Sequence, residues 1–228
     1  MANELSELRG ELCRSTTDFC HVCFEGSIHR CEQNPPNVFR VAGRRSPDLF
    51  FIFEKPNNND AFRSSDAVPI LAFDPRPLLG LRQPSYVNLL RLLELVGLAA
   101  PTPGQDPFAT GGVHVTNAVK CDKCAETGKT GRVAINARQV KTCVDRFLLK
   151  ELTILRPKAL VFFGTAPQTY VCGYTTAMWM CTEAVLGDRP YWMMRVPHTS
   201  PQPFNTHGKR GRAYIEPFKT LKVRAGIQ

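Results

Sequence analysis

No stretch of the chain reaches the roughly 18 consecutive apolar residues that a membrane-spanning helix needs, so no membrane partner is expected. The first 13 residues are polar and carry Glu4, Glu7 and Glu11, where a secretory leader would have an apolar core. The chain is therefore expected to be intracellular, in the cytoplasm, and nucleoid-associated if bacterial. Internal repeats are lacking, and the low-complexity pieces are too short to serve as linkers. With 228 residues, 43% of them hydrophobic, the chain can bury one sizeable core. A single domain over residues 1–228 is expected, with the cysteine-containing residues 1–47 packed on that core. Acids are scarce: 20 Asp and Glu stand against 29 Lys and Arg, a formal net charge of +9. That balance fits either a basic surface without a specific partner or a polyanionic partner, with nucleic acid foremost.

The charge is unevenly spread, which favours the second reading. Residues 1–36 carry Arg9, Arg14 and Arg30 against Glu4, Glu7, Glu11, Asp18, Glu25 and Glu32, a net of −3. Residues 208–228 carry Lys209, Arg210, Arg212, Lys219, Lys222 and Arg224 against Glu216, a net of +5. Phosphate contacts need such clustering. The 9 cysteines, in a reducing compartment, point to metal or redox chemistry rather than a disulfide framework. Cys20 and Cys23 form one C-x-x-C, with Cys31 following, and Cys121 and Cys124 form another. Two such pairs suit a tetrahedral zinc site on spacing alone. Buried structural thiols are the plainer alternative.

Leu5, Leu8 and Leu12 mark a short amphipathic helix. Residues 48–53, Asp-Leu-Phe-Phe-Ile-Phe, read as a strand buried on both faces. It ends in Glu54-Lys55-Pro56-Asn57, where Pro56 and the asparagines break it into a loop. Residues 61–83 read as irregular. Pro84 opens a helix to about Leu98, with Val87, Leu90, Leu93, Leu95 and Leu98 apolar. Val113, Val115 and Val119 alternate along a second strand that stops near Asn117. A long helix is expected from Asn136 to Leu155, a third strand over residues 159–163, and a helix near Ala166 after Gly164. A fourth strand covers residues 191–196 and a last helix residues 213–223. Strands and helices alternate, which predicts an α/β fold: a three-layer α/β/α sandwich around a mainly parallel four-stranded sheet.

Ligands of open parallel sheets bind beyond the C-terminal strand ends. Three such ends carry Glu54, Asn117 and His198. A side-chain amide donates one hydrogen bond and accepts another, which matches the imide edge of uracil and mismatches cytosine. A carboxylate can position water and stabilise an oxocarbenium-like sugar. An imidazole can stabilise negative charge on a departing base. Together the three suit hydrolysis at a nucleic-acid base.

The sequence resembles the uracil-DNA glycosylase superfamily, and within it the iron–sulfur (family 4-like) branch. The resemblance rests on four motifs, spread over about residues 20–225. They are Thr116-Asn117-Ala118-Val119-Lys120-Cys121, the helix with Cys143, the stretch Arg156-Pro157-Lys158-Ala159-Leu160-Val161-Phe162-Phe163-Gly164-Thr165-Ala166, and His198-Thr199-Ser200-Pro201. It implies a DNA repair enzyme that flips uracil or a related deaminated base out of DNA and hydrolyses its N-glycosidic bond, leaving an abasic site. It implies Asn117 as the base-reading amide, Glu54 and His198 as catalytic residues, and Phe62 or Phe73 as the aromatic stacking on the base. Cys20, Cys23, Cys121 and Cys143 match the ligands of a [4Fe–4S] cluster, with zinc the alternative and Cys124 able to replace Cys121.

The same resemblance places Ser200 and Pro201 at the DNA minor groove, and Lys209, Arg210 and Arg212 at phosphates. Phe204 is a candidate wedge between bases or else a packed loop aromatic. A monomer is expected, with DNA containing uracil or another deaminated base as partner. The chain departs from the branch in its first motif: a Gly-Glu-x-Pro-Gly pattern is replaced by Phe53-Glu54-Lys55-Pro56-Asn57. Bulk at Phe53 and Asn57 would narrow the approach of base or water. The alternative function is therefore a glycosylase-like DNA-binding protein, or a sensor of damaged or modified bases, with little or no hydrolysis.

Overall fold

The computed structural model describes residues 47–55, 84–98, 112–120 and 137–228, together with residues 4, 7–8, 11, 29–30 and 123–124. Strands β1 (His29–Arg30) and β4 (Lys123–Cys124) form a small antiparallel pair that sets His29 opposite Cys124. The main sheet contains β2 (Leu49–Phe53), β3 (Val113–Asn117), β5 (Ala159–Phe163), β6 (Cys181–Leu186) and β7 (Arg189–Val196), in the order β3-β2-β5-β7-β6. Strands β3, β2, β5 and β7 are parallel, and β6 pairs antiparallel with β7.

The sheet thus has five strands where the sequence predicts four. The added strand, β6, lies at an edge with one neighbour, so its residues are half-buried or exposed and form no apolar run. Its signal is the two-residue turn Gly187-Asp188 that joins it to β7, with Gly187 at φ +67°. By contrast β2, β3 and β5 are buried along their whole length, because helices cover both faces.

The helices are α1 (Pro84–Leu95), α2 (Ala137–Cys143), α3 (Leu149–Leu155), α4 (Thr165–Cys172), α5 (Pro201–Thr206) and α6 (Ile215–Arg224). α1 starts on a proline, whose missing N–H costs nothing there. It ends before Gly97, at φ +68°, with the Leu98 N–H donating to the Leu93 carbonyl at 2.8 Å. Its buried face is Leu89, Leu92, Leu93 and Val96, whereas Val87 is exposed and Leu90 and Leu95 are half-buried. The single helix expected over residues 136–155 is interrupted by π-helical Val144–Leu148 between α2 and α3. This wide turn shifts the helical register, so that Val140, Cys143 and Val144 as well as Leu148, Leu152 and Leu155 face the sheet.

Two cores result, one on each side of the sheet. Phe51, Phe53, Val113, Val115, Phe163 and Val196 pack with α1, α5 and α6. Phe50, Ile52, Leu160, Phe162 and Met193 pack with α2, α3 and the intervening π turn. This is a three-layer α/β/α sandwich. Each fully buried phenylalanine contributes about 2–3 kcal/mol of transfer free energy. Residues 4, 7, 8 and 11 are helical, and Leu8 is buried against Phe147.

Candidate active site

Register brings the three predicted strand ends to one edge. Phe53 pairs with Asn117 across β2 and β3, and Phe163 pairs with Val196 across β5 and β7. The Ala118 N–H donates to the Phe53 carbonyl at 2.7 Å and the Val119 N–H to the Glu54 carbonyl at 2.9 Å, which prolongs the β2–β3 contact past the strands. Glu54, Asn117 and His198 therefore stand on the same C-terminal edge, with Phe53 between them. Its ring stacks on Phe163 at 4.3 Å and meets the His198 ring edge-on at 5.4 Å. Phe53 is 1% exposed, so its bulk is spent in the core rather than projecting over the edge.

Asn117 is 1% exposed, and its Oδ1 has no hydrogen-bond partner among the described residues. An unsatisfied buried acceptor costs about 1–3 kcal/mol, so this oxygen is a candidate to meet a ligand's N–H. Its direction follows from strand alternation. His114 and Thr116 reach Glu151 on α3, so Asn117 shares the other face with Val113 and Val115.

His198 is half-buried, and burial lowers its pKa to about 4. Its Nδ1 accepts the Ser200 N–H at 2.9 Å, which puts the proton of the neutral ring on Nε2. The segment that carries it is held from two further sides. Asn88 Nδ2 on α1 donates to the Thr199 carbonyl at 2.8 Å, and the Tyr214 hydroxyl donates to the Pro197 carbonyl at 2.9 Å. Thr199 Oγ1 is a second buried oxygen without a partner among the described residues.

Glu54 is half-buried at the bend after β2, and the Tyr170 hydroxyl on α4 donates to its Oε1 at 3.3 Å. Burial first, and then the Glu54 charge and hydrogen bond, raise the Tyr170 pKa. Beneath the edge lies a buried polar quartet. Glu151 Oε1 contacts His114 Nε2 at 2.7 Å, and its Oε2 accepts from Thr116 at 3.0 Å and Lys120 at 2.7 Å. Burial pushes the Glu151 carboxyl up, but Lys120 and His114 together hold it below its ordinary value.

The remaining predicted residues separate into three groups. Ser200 is half-buried and Pro201 exposed at the start of α5; Lys209, Arg210 and Arg212 are exposed on the 3-10 turn Lys209–Tyr214. Lys209 and Arg210 have φ of 46° and 55°, the left-handed region that costs non-glycine residues about 1–2 kcal/mol. The turn lies close to Phe204: a Cβ at Gly208 would sit 2.6 Å from the Phe204 carbonyl, and one at Gly211 would sit 3.1 Å from the Phe204 ring. Phe204 itself is 0% exposed, 5.8 Å ring to ring from Tyr214, an arrangement that suits the packed-aromatic alternative. Intercalation would require pulling it out of the core. Cys143 is 3% exposed and shares its core with Ala118 and Val119. Cys20, Cys23, Cys121, Phe62 and Phe73 lie outside the described residues, as does the side chain of Cys124. Among the described residues no cluster of three or more potential metal ligands occurs.

Residues 46–222 match the family described as the uracil DNA glycosylase superfamily, a span running from just before β2 into α6. The chain belongs to that superfamily. Membership supports a glycosylase-type hydrolase of DNA base excision repair as the general class of activity. No curated protein matches the chain. No helix among the described residues is long and apolar enough to cross a membrane.

Within this superfamily fold, sequence reasoning missed Tyr170, Asn88 and the Glu151 quartet. Asn88 and Tyr170 sit inside helices without a motif of their own. Glu151 has the look of an ordinary solvated helix acid, and only the neighbouring strand reveals its partners. Of the quartet, Thr116 and Lys120 were visible, only as members of the motif that ends in Cys121.

Proposed function

We propose that the protein flips uracil, or a related deaminated base, out of DNA and hydrolyses its N-glycosidic bond. The observation that carries this reading is the buried Oδ1 of Asn117, unpartnered among the described residues, on the edge that also holds Glu54 and His198. Oδ1 accepts from the N3–H of uracil while the amide N–H donates to O4; cytosine offers neither match. Glu54 orients a water and takes its proton. The water oxygen bonds to C1′ as the C1′–N bond breaks, and the bonding electron pair leaves with the base. The neutral His198 ring donates from Nε2 to the base oxygen on which that charge gathers. Exposed Lys209, Arg210 and Arg212 bind phosphates beside Ser200 and Pro201, and Phe62 or Phe73 stacks on the base.

The iron–sulfur branch supplies the proposed cofactor. Cys143 is buried beside Ala118 and Val119, which precede Cys121 in sequence, and β1–β4 pairs His29–Arg30 with Lys123–Cys124. The buried Cys143 and this pairing support a group held by Cys20, Cys23, Cys121 and Cys143, a [4Fe–4S] cluster, with zinc the alternative. Such a group contributes folding free energy and braces the segment after Asn117. The test of the activity is direct. Incubation with an oligonucleotide containing one uracil, followed by alkali, cleaves the strand at the abasic site. Binding of uracil DNA without any cleavage would replace this reading with that of a damaged-base sensor.

A further inference from the structure

The Tyr170 hydroxyl reaches the Glu54 carboxylate across 116 positions of sequence. We infer that Tyr170 is a positioning residue for Glu54, fixing one carboxylate oxygen so that the other is presented to water and sugar; the inference rests on the proposed glycosylase activity.

Three features of the fold support it. First, α4 begins at the C-terminal end of β5, after Gly164 at φ 103°, whose N–H donates to the Val196 carbonyl at 2.9 Å. The start of α4 is therefore tied to the edge that carries the site. Second, helical side chains lean toward the helix N-terminus, so a tyrosine one turn and a half into α4 sends its hydroxyl back toward that edge. Third, the Tyr170 ring packs against the core on the Phe50 and Ile52 side, which restricts it to few orientations. A glutamate at a bend has three rotatable bonds; a hydroxyl anchored on a packed ring removes most of that freedom. With Oε1 engaged, the base-reading amide of Asn117 and the carboxylate are held by different layers of the sandwich. Asn117 belongs to the α1, α5 and α6 side, and Glu54 is gripped from the α4 side.

The experiment is single-turnover excision on a uracil-containing duplex, with wild type, Tyr170→Phe, Glu54→Gln and the double variant. Phe keeps the ring and its packing, and matched thermal melting of the two proteins checks that. Tyr170→Phe is expected to slow the chemical step about tenfold while leaving the Kd for uracil DNA within about twofold of wild type. In the Glu54→Gln background the same change is expected to have no further effect, because the carboxylate it serves is gone. Equal rates for wild type and Tyr170→Phe would overturn the role, as would a full tenfold loss persisting in the Glu54→Gln background. A wild-type protein that releases no uracil would overturn the activity itself, and this role with it.

Discussion

Lys120 and Glu151 form an ion pair at 2.7 Å with both side chains 0% exposed. The pair brackets the site from below, since Thr116 and Lys120 flank Asn117 and both bond to the same carboxylate oxygen. Removing one partner of a buried pair strands the other charge in the core, at a cost of about 3–5 kcal/mol. Lys120→Met and Glu151→Gln are each expected to lose that much stability in urea unfolding. Lys120→Met combined with Glu151→Leu is expected to lose clearly less than the sum. The pair also sets a pH dependence. A carboxyl held low in the folded state stabilises it fully above its unfolded value, about pH 4.3, and loses this as pH falls through the folded value. Acid unfolding of the Glu151→Gln variant should therefore be less steep below about pH 4.3 than that of wild type.

His198 gives the opposite kind of group, one that stays neutral. Its pKa of about 4 lies below the ordinary 6.5, so between those values the unfolded chain binds a proton that the folded chain refuses. The stability associated with it is complete above pH 6.5 and declines as pH falls toward 4, by at most about 1.4 kcal/mol per pH unit. Chemistry should follow the folded state: single-turnover excision is expected to show no inflection near pH 6.5. A drop in rate centred there would mean that the imidazole titrates in its ordinary range.

How far the sequence was legible depended on where partners lie. Glu54, Asn117 and His198 stood out because each lies at the end of a strand pattern, continuous or alternating, and strand ends share an edge in any parallel sheet. The buried strands were legible because near-continuous apolar residues have no other use. β6 was not, since an edge strand keeps one side in water and needs no apolar run. Phe204 could be read either as a wedge or as packing; Gly208 and Gly211, which allow the basic turn to close over it, carry no signal without coordinates. Tyr170 and Glu151 were illegible for a simpler reason: their partners lie 116 and 31–37 positions away.

The proposed cluster makes a visible prediction. Anaerobically purified protein is expected to be brown, with broad absorption in the visible blue from thiolate-to-iron charge transfer. Colourless protein with one equivalent of zinc would replace iron–sulfur by the tetrahedral alternative. Cys143→Ser is expected to lower the melting temperature under either metal, because ligation adds to folding free energy.

The basic turn should act without regard to sequence. Lys209 and Arg210 are exposed, so reversing both to glutamate leaves the core untouched. Binding to uracil-containing and uracil-free DNA is expected to weaken by a similar factor, about tenfold or more at low salt. The slope of log Kd against log salt should fall by about two, one for each lost phosphate contact. Unchanged slope and affinity would remove the turn from the DNA interface.

Asn117 carries the most specific expectation. Its buried Oδ1 has no partner among the described residues, and a base with an acceptor at that position would leave two acceptors facing each other. Each such mismatch costs about 1–3 kcal/mol, equivalent to roughly tenfold or more in rate. Asn117→Ala is expected to slow uracil excision at least about tenfold while the salt dependence of DNA binding, set by phosphates, stays as in wild type. Asn117→Asp is expected to slow uracil excision as well, since an ionised carboxylate cannot donate to O4. Cytosine is the informative second substrate. When protonated, the carboxyl introduced by Asn117→Asp accepts from the cytosine amino group and donates to its ring nitrogen. Weak cytosine release should therefore appear in that variant and grow as pH falls. Wild-type uracil excision by Asn117→Ala would show that Asn117 Oδ1 meets something other than the base, and that β3 ends at the site without reading it.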